Sequence, residues 1–210
     1  MYSLKNRVVT DGICWAEPLL PPDPARNKHP MSSTAGLVTE LERIATALNA
    51  DDGSASQFSL ASVAEKIAKT LSVRKDEVAI MGVSTRWRHL HFLVPEALKN
   101  VGFIPLSSNS ALAARTARDS RPEIDNNFTV ARHAAVFEGV KISSEETPES
   151  IQKMLSAPIL SEGKVIGVIQ ISRKGPSAAS AGPDFTADDL GKILALCKPL
   201  GKLLRRIAGE

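Results

Sequence analysis

Residues 159–175 read "ILSEGKVIGVIQISRKG" and carry the pattern that decides the fold. A turn signal at 161–164 separates two apolar runs, 154–160 and 165–171, and this spacing predicts an antiparallel hairpin. The second run is apolar at both alternating sets of positions, which is typical of a strand in a sheet covered on both sides. The hairpin is therefore predicted to lie inside such a sheet.

The other elements follow from the spacing of apolar residues. Helices are predicted where these residues recur every three or four positions, and strands where short apolar runs lie between turn residues. The predicted helices are 33–48, 60–71, 109–122 and 186–207, and the further strands are 77–84, 88–95 and 101–107. This order predicts an α+β fold with a central antiparallel sheet, the terminal helices on one face and the middle helix on the other. Gly167 would let a helix or loop approach its strand closely.

The composition limits the classes of function. The chain has 210 residues, 43% of them hydrophobic and 23% charged, with a net charge of +3. Such a weak positive charge, without a basic stripe, does not favour nucleic acid as a partner. The apolar runs are too short for a membrane span, the two cysteines fit no disulfide or metal spacing, and the first residues show no signal-peptide pattern. We expect a cytoplasmic protein.

Two segments differ in composition from the rest. Residues 1–31 contain five of the 13 prolines and are predicted to be a Pro-rich N-terminal extension, in which "RVVTDGICW" (7–15) could add a short strand. Residues 123–149 are polar and loop-like, with a possible helical turn at 130–140. Residues 32–210 are predicted to form a single domain.

Three stretches resemble the GAF domain, a small-molecule sensor related to the PAS fold. They are "FIPLSSNSALAARTARDSRPEIDNN" (103–127), the hairpin "MLSAPILSEGKVIGVIQISRKG" (154–175), and "FTADDLGKILALCKPLGKLL" (185–204). The resemblance covers about residues 37–207 and implies a GAF-like central antiparallel sheet covered on both faces by helices. It also implies a regulatory role, in which a bound small molecule is sensed and the signal leaves through the terminal helices.

Several family variants have residues that are absent here. Lys174, Phe185 and Asp189 match the motif of members that bind cyclic nucleotides, but Arg173 and Leu190 replace its Asn and Glu. Lys174 and Asp189 could still pair. The pocket segment lacks the cysteine that attaches bilin and the redox cysteines of the free-methionine sulfoxide reductases. We therefore expect neither a cofactor nor enzymatic activity.

The resemblance places a ligand pocket between the sheet and residues 109–133. Aromatic side chains would form its walls and polar ones its anchors, as in most small-molecule sites; the candidates are Trp87, Phe92, Phe103, Ser108, Ser110, Arg115, Asp125, Asn127, Phe128, Arg132 and His133. Arg115 and Arg132 would anchor an anionic ligand, because a guanidinium binds carboxylate or phosphate with two parallel hydrogen bonds. The alternative is that these side chains fill the space themselves.

No catalytic motif is present. The chain has no phosphate-binding glycine loop, no HExxH and no nucleophile elbow. Asp125 and His133 could form an acid–base pair only if the loop between them brings them together. His89 and His91 share one face of a strand, but no acidic or cysteine partner is near, so no metal site is predicted.

The last helix carries a coiled-coil-like seam of apolar residues at alternating spacings of three and four: Leu190, Ile193, Cys197, Leu200, Leu204 and Ile207. The seam predicts a homodimeric helical bundle that includes residues 37–48; packing of the helix on its own sheet is the alternative. Two functions stay open, a sensor module that binds a small molecule and a ligand-free dimerisation or protein-interaction module. In either case a separately encoded signalling partner could receive the signal.

Overall fold

The computed structural model describes residues 33–47, 59–128 and 149–207. Its helices are α1 (Thr34–Ala47), α2 (Leu60–Leu71), α3 (Leu112–Asp119) and α4 (Ala187–Ile207). Its strands are β1 (Val78–Ser84), β2 (His89–Val94), β3 (Phe103–Pro105), β4 (Glu123–Asp125), β5 (Ile151–Ser161) and β6 (Lys164–Lys174). Short 3₁₀ helices lie at Lys75–Glu77 and Glu96–Leu98. Residues 1–32 and the segments predicted at 7–15 and 130–140 lie outside the described residues, so the domain boundary near residue 31 stays a prediction.

The six strands form one antiparallel sheet in the order β3-β2-β1-β6-β5-β4. The opening hairpin is β5 and β6, paired from Ile151 with Lys174 to Ser161 with Lys164 around a turn in which Gly163 has a positive φ of 76°. This pair lies inside the sheet, as predicted. The sequence did not reveal β4, because it is only three residues long and forms by pairing with Met154–Ser156.

Helices cover both faces of the sheet, which confirms the predicted α+β fold. On one face α1, α2 and α4 pack on fully buried strand residues such as Ile80, Leu155, Ile169 and Ile171. On the other face α3 packs through Ala113 and Ala117 on a smaller cluster: Met81, Leu90, Phe92 and Val168. This explains why neither face of the apolar run in β6 is exposed to solvent.

Gly167 of β6 lies where the sheet and α4 come closest. A Cβ at this position would stand 2.6 Å from the backbone oxygen of Met81 and 2.9 Å from a methyl group of Leu204. No larger residue fits between these atoms without a backbone shift. The predicted close approach is therefore present, and α4 is the helix that makes it.

The apolar seam of α4 packs largely within its own chain. Ile193, Cys197, Leu200 and Leu204 are buried in the core with α1 and the sheet, Leu190 is partly buried against it, and only Ile207 is half exposed. A helix that lies along the sheet already has its seam covered, so these four buried residues are not the free stripe expected from the sequence. The packing of α1 on α4 does form the helix pair predicted for the bundle, but within one chain. The dimer itself stays a prediction.

Candidate functional site

A cavity of about 170 Å³ lies between the sheet and the start of α3. Its walls come from the five strands β1, β2, β3, β5 and β6, from the loop before α3 and from α3 itself. Most of the lining is apolar, with Phe92, Leu98, Phe128 and Met154 among the larger side chains. An engineered apolar cavity of about 150 Å³ is large enough for benzene. The space therefore suits a molecule of one or two small rings, below the roughly 300–1,000 Å³ of sites for larger ligands.

Strand β6 brings a row of polar side chains to this cavity. Gln170, Ser172 and Lys174 occupy alternate positions and line the cavity, while Ile169 and Ile171 on either side of Gln170 are fully buried under the helices on the opposite face. Alternate residues of a strand point to opposite faces, so one strand contacts both the cavity and the helical core. Polar groups inside a sheet need partners, and each of the three has one.

Two buried hydroxyl groups, those of Ser156 and Thr116, hold Gln170 in place. Its Nε2 donates to Oγ of Ser156 at 3.3 Å, and that oxygen shares a hydrogen bond of 2.8 Å with Oγ1 of Thr116 on α3. Ser156 is 0% exposed and Thr116 2% exposed. The chain of hydrogen bonds links β6, β5 and α3 and holds the glutamine side chain in place.

A cluster of charged residues lies at the end of the cavity formed by the 3₁₀ helix Lys75–Glu77. Lys174 Nζ contacts Asp76 Oδ2 at 2.9 Å, and buried Glu77 accepts hydrogen bonds from the backbone N–H groups of Lys174 (2.6 Å) and Arg74 (2.8 Å). Arg74 also binds Asp76 at 3.1 Å and Glu149 at 2.6 Å. Burial alone would raise the pKa of Asp76, but the hydrogen bonds and charges of Lys174 and Arg74 outweigh it and lower that pKa. Asp76 is therefore ionised at neutral pH, and the charged groups of the cluster are paired with one another.

This cluster replaces the pairing expected for Lys174. Lys174 binds Asp76, while Asp189 accepts hydrogen bonds from the backbone and hydroxyl of Thr186 at the start of α4 and contacts Lys192. Asp189 thus completes a helix cap, as its spacing from Thr186 indicates. The loop before α4 is instead fastened by buried Lys153, which binds the carbonyl oxygen of Gly182 at 2.6 Å and Asp184 at 2.8 Å.

Five of the predicted site residues line the cavity: Phe92, Phe103, Ser108, Ser110 and Phe128. Phe92 and Phe128 are buried, and the two serines belong to the loop that leads into α3, where Ser108 Oγ accepts a hydrogen bond from Ala111 N at 3.2 Å. Phe103 only borders the space. It is 60% exposed, and its ring lies 4.8 Å from that of His89.

Four predicted residues lie away from the cavity. Trp87 is 67% exposed in the turn between β1 and β2, with the guanidinium of Arg86 over its ring. Arg115 forms an ion pair with Glu123 at 2.7 Å. Asp125 accepts a hydrogen bond from the backbone N–H of Asn127, which is itself exposed, so these two shape a turn. Arg132 and His133 are outside the described residues, and with them the proposed pair of Asp125 and His133.

The sequence did not place at the cavity most of the residues that give it polarity, and it singled out Lys174 only as a possible partner of Asp189. Besides Gln170, Ser172 and Lys174 these are Asp76 and Glu77, which follow α2 in the chain. One signal was available: from residue 169 onward β6 alternates Ile, Gln, Ile, Ser, Arg, Lys. This pattern indicates that one face of the strand meets polar surroundings.

The described residues contain no group of three metal-ligating side chains. His89 and His91 do share a face of β2, with ring centroids 6.1 Å apart. Burial, and then the neighbouring charge of His89, lowers the pKa of His91. Cys197 is buried among apolar side chains, and this burial raises its thiol pKa to about 12. Such a thiol is a packing residue and a poor nucleophile.

An antiparallel sheet with helices on both faces and a small cavity beneath one of them defines a class of sensory and regulatory domains. The sequence profile of the GAF domain matches residues 37–202, so the chain belongs to the GAF domain family, as the three stretches of the sequence indicate. No curated protein matches the chain closely enough to count as a relative.

Solved structures share this fold. The GAF domain of an Acinetobacter phosphoenolpyruvate-protein phosphotransferase matches with a TM-score of 0.53 and 20% identity, over 82% of this chain and 94% of that one. The equivalent domain from Coxiella burnetii gives 0.50 and 12%, over 84% and 98%. Free methionine-R-sulfoxide reductase from Neisseria meningitidis gives 0.52 and 17%, over 84% and 90%. Identities this low show a shared fold and nothing finer.

Within the described part of the chain, no helix has the length and apolar character needed to cross a membrane.

Proposed function

We propose that this GAF domain is a non-enzymatic regulatory module that binds a small molecule in the cavity beneath α3 and signals through α1 and α4. The observation that carries the proposal is the apolar cavity itself, into which one strand brings the polar side chains of Gln170, Ser172 and Lys174. An apolar cavity with a few fixed polar groups is the usual form of a small-molecule site.

The path of the signal follows from the two faces of β6. Gln170 faces the cavity, while Ile169 and Ile171 on either side of it belong to the core formed with α1 and α4. Gly167, in the same strand, lies against Leu204 of α4. A ligand that shifts or stiffens β6 therefore acts on α4 directly, since closely packed interiors transmit small displacements.

The proposal includes the setting in which the module works. A buried free thiol at Cys197 fits a reducing compartment, so we place the protein in the cytoplasm. The output passes to a separately encoded partner, and neither nucleic acid nor a membrane is involved.

A ligand-free dimerisation module is the second candidate. Leu194 and Ile207 of α4 are 41% and 50% exposed. Exposed large apolar residues in one region are typical of an interface, and most homo-oligomers are two-fold dimers. In this case two copies would meet through the outer surface of α4, and the cavity would stay without a natural ligand.

A cavity-filling variant separates the two candidates. Ala79 of β1 lines the cavity, so Ala79→Phe should occupy it, while Ala178→Phe on an exposed loop is the matched control. In a thermal-shift screen of small ring compounds, we expect hits to raise the Tm of the unmutated protein and the control but not of Ala79→Phe. A ligand at 100 times its Kd stabilises by about 2.7 kcal/mol. Hits that stabilise Ala79→Phe equally, or a screen without hits, would contradict the ligand-binding function.

A further inference from the structure

The side chain of Gln170 lies on the face of the sheet that lines the cavity. Its strand neighbours Ile169 and Ile171 are 0% exposed, and in the sheet it lies between Ala79 of β1 and Ser156 of β5. Gln170 is nevertheless only partly buried, and it lines the cavity. The amide group is therefore presented to whatever molecule enters.

The hydrogen bonds around Gln170 engage one end of its amide. Nε2 is directed to Ser156, whose hydroxyl is bonded in turn to Thr116. Among the residues that the structure describes, no donor is bonded to Oε1, and this oxygen is not among their buried unsatisfied atoms. A carbonyl oxygen that is accessible and unengaged offers an acceptor to a ligand.

The charges around the cavity disfavour an anion. Its lining includes two carboxylates, Asp76 and Glu77, and one ammonium group, Lys174, which is already bound to Asp76 at 2.9 Å. Arg115, the expected guanidinium anchor, pairs with Glu123 and does not line the cavity. Among the described residues of the lining, a ligand carboxylate or phosphate would thus meet two carboxylates and no unpaired cation.

From these observations we infer that the cavity selects a neutral molecule of one or two small rings with an N–H or O–H group that donates a hydrogen bond to Oε1 of Gln170. This inference rests on the proposed function and names its ligand class. Gln170 is the residue that determines specificity, and Ser156 and Thr116 are positioning residues that hold its amide. A site built to accept a hydrogen bond discriminates against an analogue without the donor, because its polar group is then left unpaired.

Phenol and toluene form a stringent pair of probes. They have nearly the same shape and differ by a hydroxyl in place of a methyl group, and toluene is the more hydrophobic of the two. Transfer from water alone would therefore make toluene the tighter ligand. We expect calorimetry to give phenol the smaller Kd by about fivefold to tenfold, as one net hydrogen bond allows.

Variants assign the preference to the residue. In Gln170→Leu the order should reverse in favour of toluene, and in Ser156→Ala the preference for phenol should shrink. Gln152→Leu makes the same substitution in the neighbouring strand, outside the cavity, and should keep the original order. Circular dichroism checks that each variant is folded. If Gln170→Leu is not folded, Ser156→Ala still tests the inference.

Three results would overturn the inference. They are tighter binding of toluene by the unmutated protein, an unchanged preference for phenol in both cavity variants, and no binding of either probe. If neither probe binds but other compounds of the screen bind and are excluded by Ala79→Phe, only the ligand class is wrong. If no compound binds at all, the proposed function fails as well.

Discussion

Gly201 of α4 lies directly against the carbonyl oxygen of Leu160 in β5, so that a Cβ at position 201 would stand closer than 3.0 Å to that backbone atom. Gly191, in the same helix, has no atom within 4 Å of such a Cβ. The two glycines look alike in the sequence, where both weaken the helix. The structure gives them opposite roles.

Alanine substitutions should therefore have opposite effects on stability. Gly191→Ala is expected to raise the free energy of unfolding by about 0.5–1 kcal/mol, since glycine is a poor helix former. Gly201→Ala should lower it by about 1–3 kcal/mol, because α4 must move away from β5 to make room. Urea denaturation measures both. Equal stabilisation by the two substitutions would mean that α4 does not lie this close to the sheet.

Because the α4 seam is buried, a charge introduced into it should destabilise the domain. Leu204 is 4% exposed, so Leu204→Glu should destabilise the domain by more than about 3 kcal/mol. Ile207 is half exposed at the end of the same helix, and Ile207→Glu should change stability by no more than about 0.5 kcal/mol. Thermal unfolding of the two variants side by side tests this difference. A stable, folded Leu204→Glu protein would show that the seam is free.

The proposed dimer can be tested with the substitutions that leave the fold intact. At tens of micromolar, where standard interfaces hold, we expect light scattering to give the molar mass of two chains. Leu194→Glu and Ile207→Glu should shift this mass towards one chain, whereas Lys198→Glu, also exposed on α4, serves as a charge control. A single-chain mass for the unmutated protein would exclude the dimer.

The charged cluster at the end of the cavity should make stability depend on pH. The pKa of Asp76 lies below its ordinary value of 3.8 in the folded protein, so the carboxylate contributes stability that is present above pH 3.8. This contribution is lost as the pH falls through the folded pKa. Asp76→Asn should cost about 1–3 kcal/mol at pH 7 and progressively less in acid.

Asp188 provides the matched control for Asp76. It is 78% exposed and pairs with Lys192 on the surface of α4, so Asp188→Asn should cost no more than about 0.5 kcal/mol. Denaturation midpoints between pH 3 and pH 7 compare the two variants. A penalty for Asp76→Asn that stays constant down to pH 3 would contradict the assigned ion pairs.

The thiol of Cys197 should be protected until the domain unfolds. Burial raises its pKa to about 12, so hardly any thiolate is present at pH 8. In a Cys14→Ser background, Ellman's reagent should modify Cys197 only at the rate of unfolding and at full speed in denaturant. Rapid modification under native conditions would mean that α4 opens readily.

The cavity shows which site residues local sequence patterns can predict. Phe92, Ser108 and Phe128 could be anticipated as lining residues because they follow the family's order of strand, loop and helix. Trp87 and Arg115 could not be excluded by the same reasoning. Trp87 lies in an exposed turn and Arg115 pairs with Glu123, and both outcomes depend on neighbours whose positions the local sequence does not fix.

Apart from β4, the sequence by itself determined the helices and strands of the sheet and their order, because turn residues and apolar spacing act over a few positions. The β5–β6 hairpin, the coverage of both sheet faces and the start of α4 at Thr186 all follow from such short-range signals. Only the tertiary structure decided that Lys174 pairs with Asp76, 98 residues away, and that Gln170 is held by Ser156 and Thr116. It also decided that Leu204 packs under its own sheet. The physical reason is that these interactions join strands and helices far apart in the chain, and their energy depends on burial and geometry that exist only once the sheet has assembled.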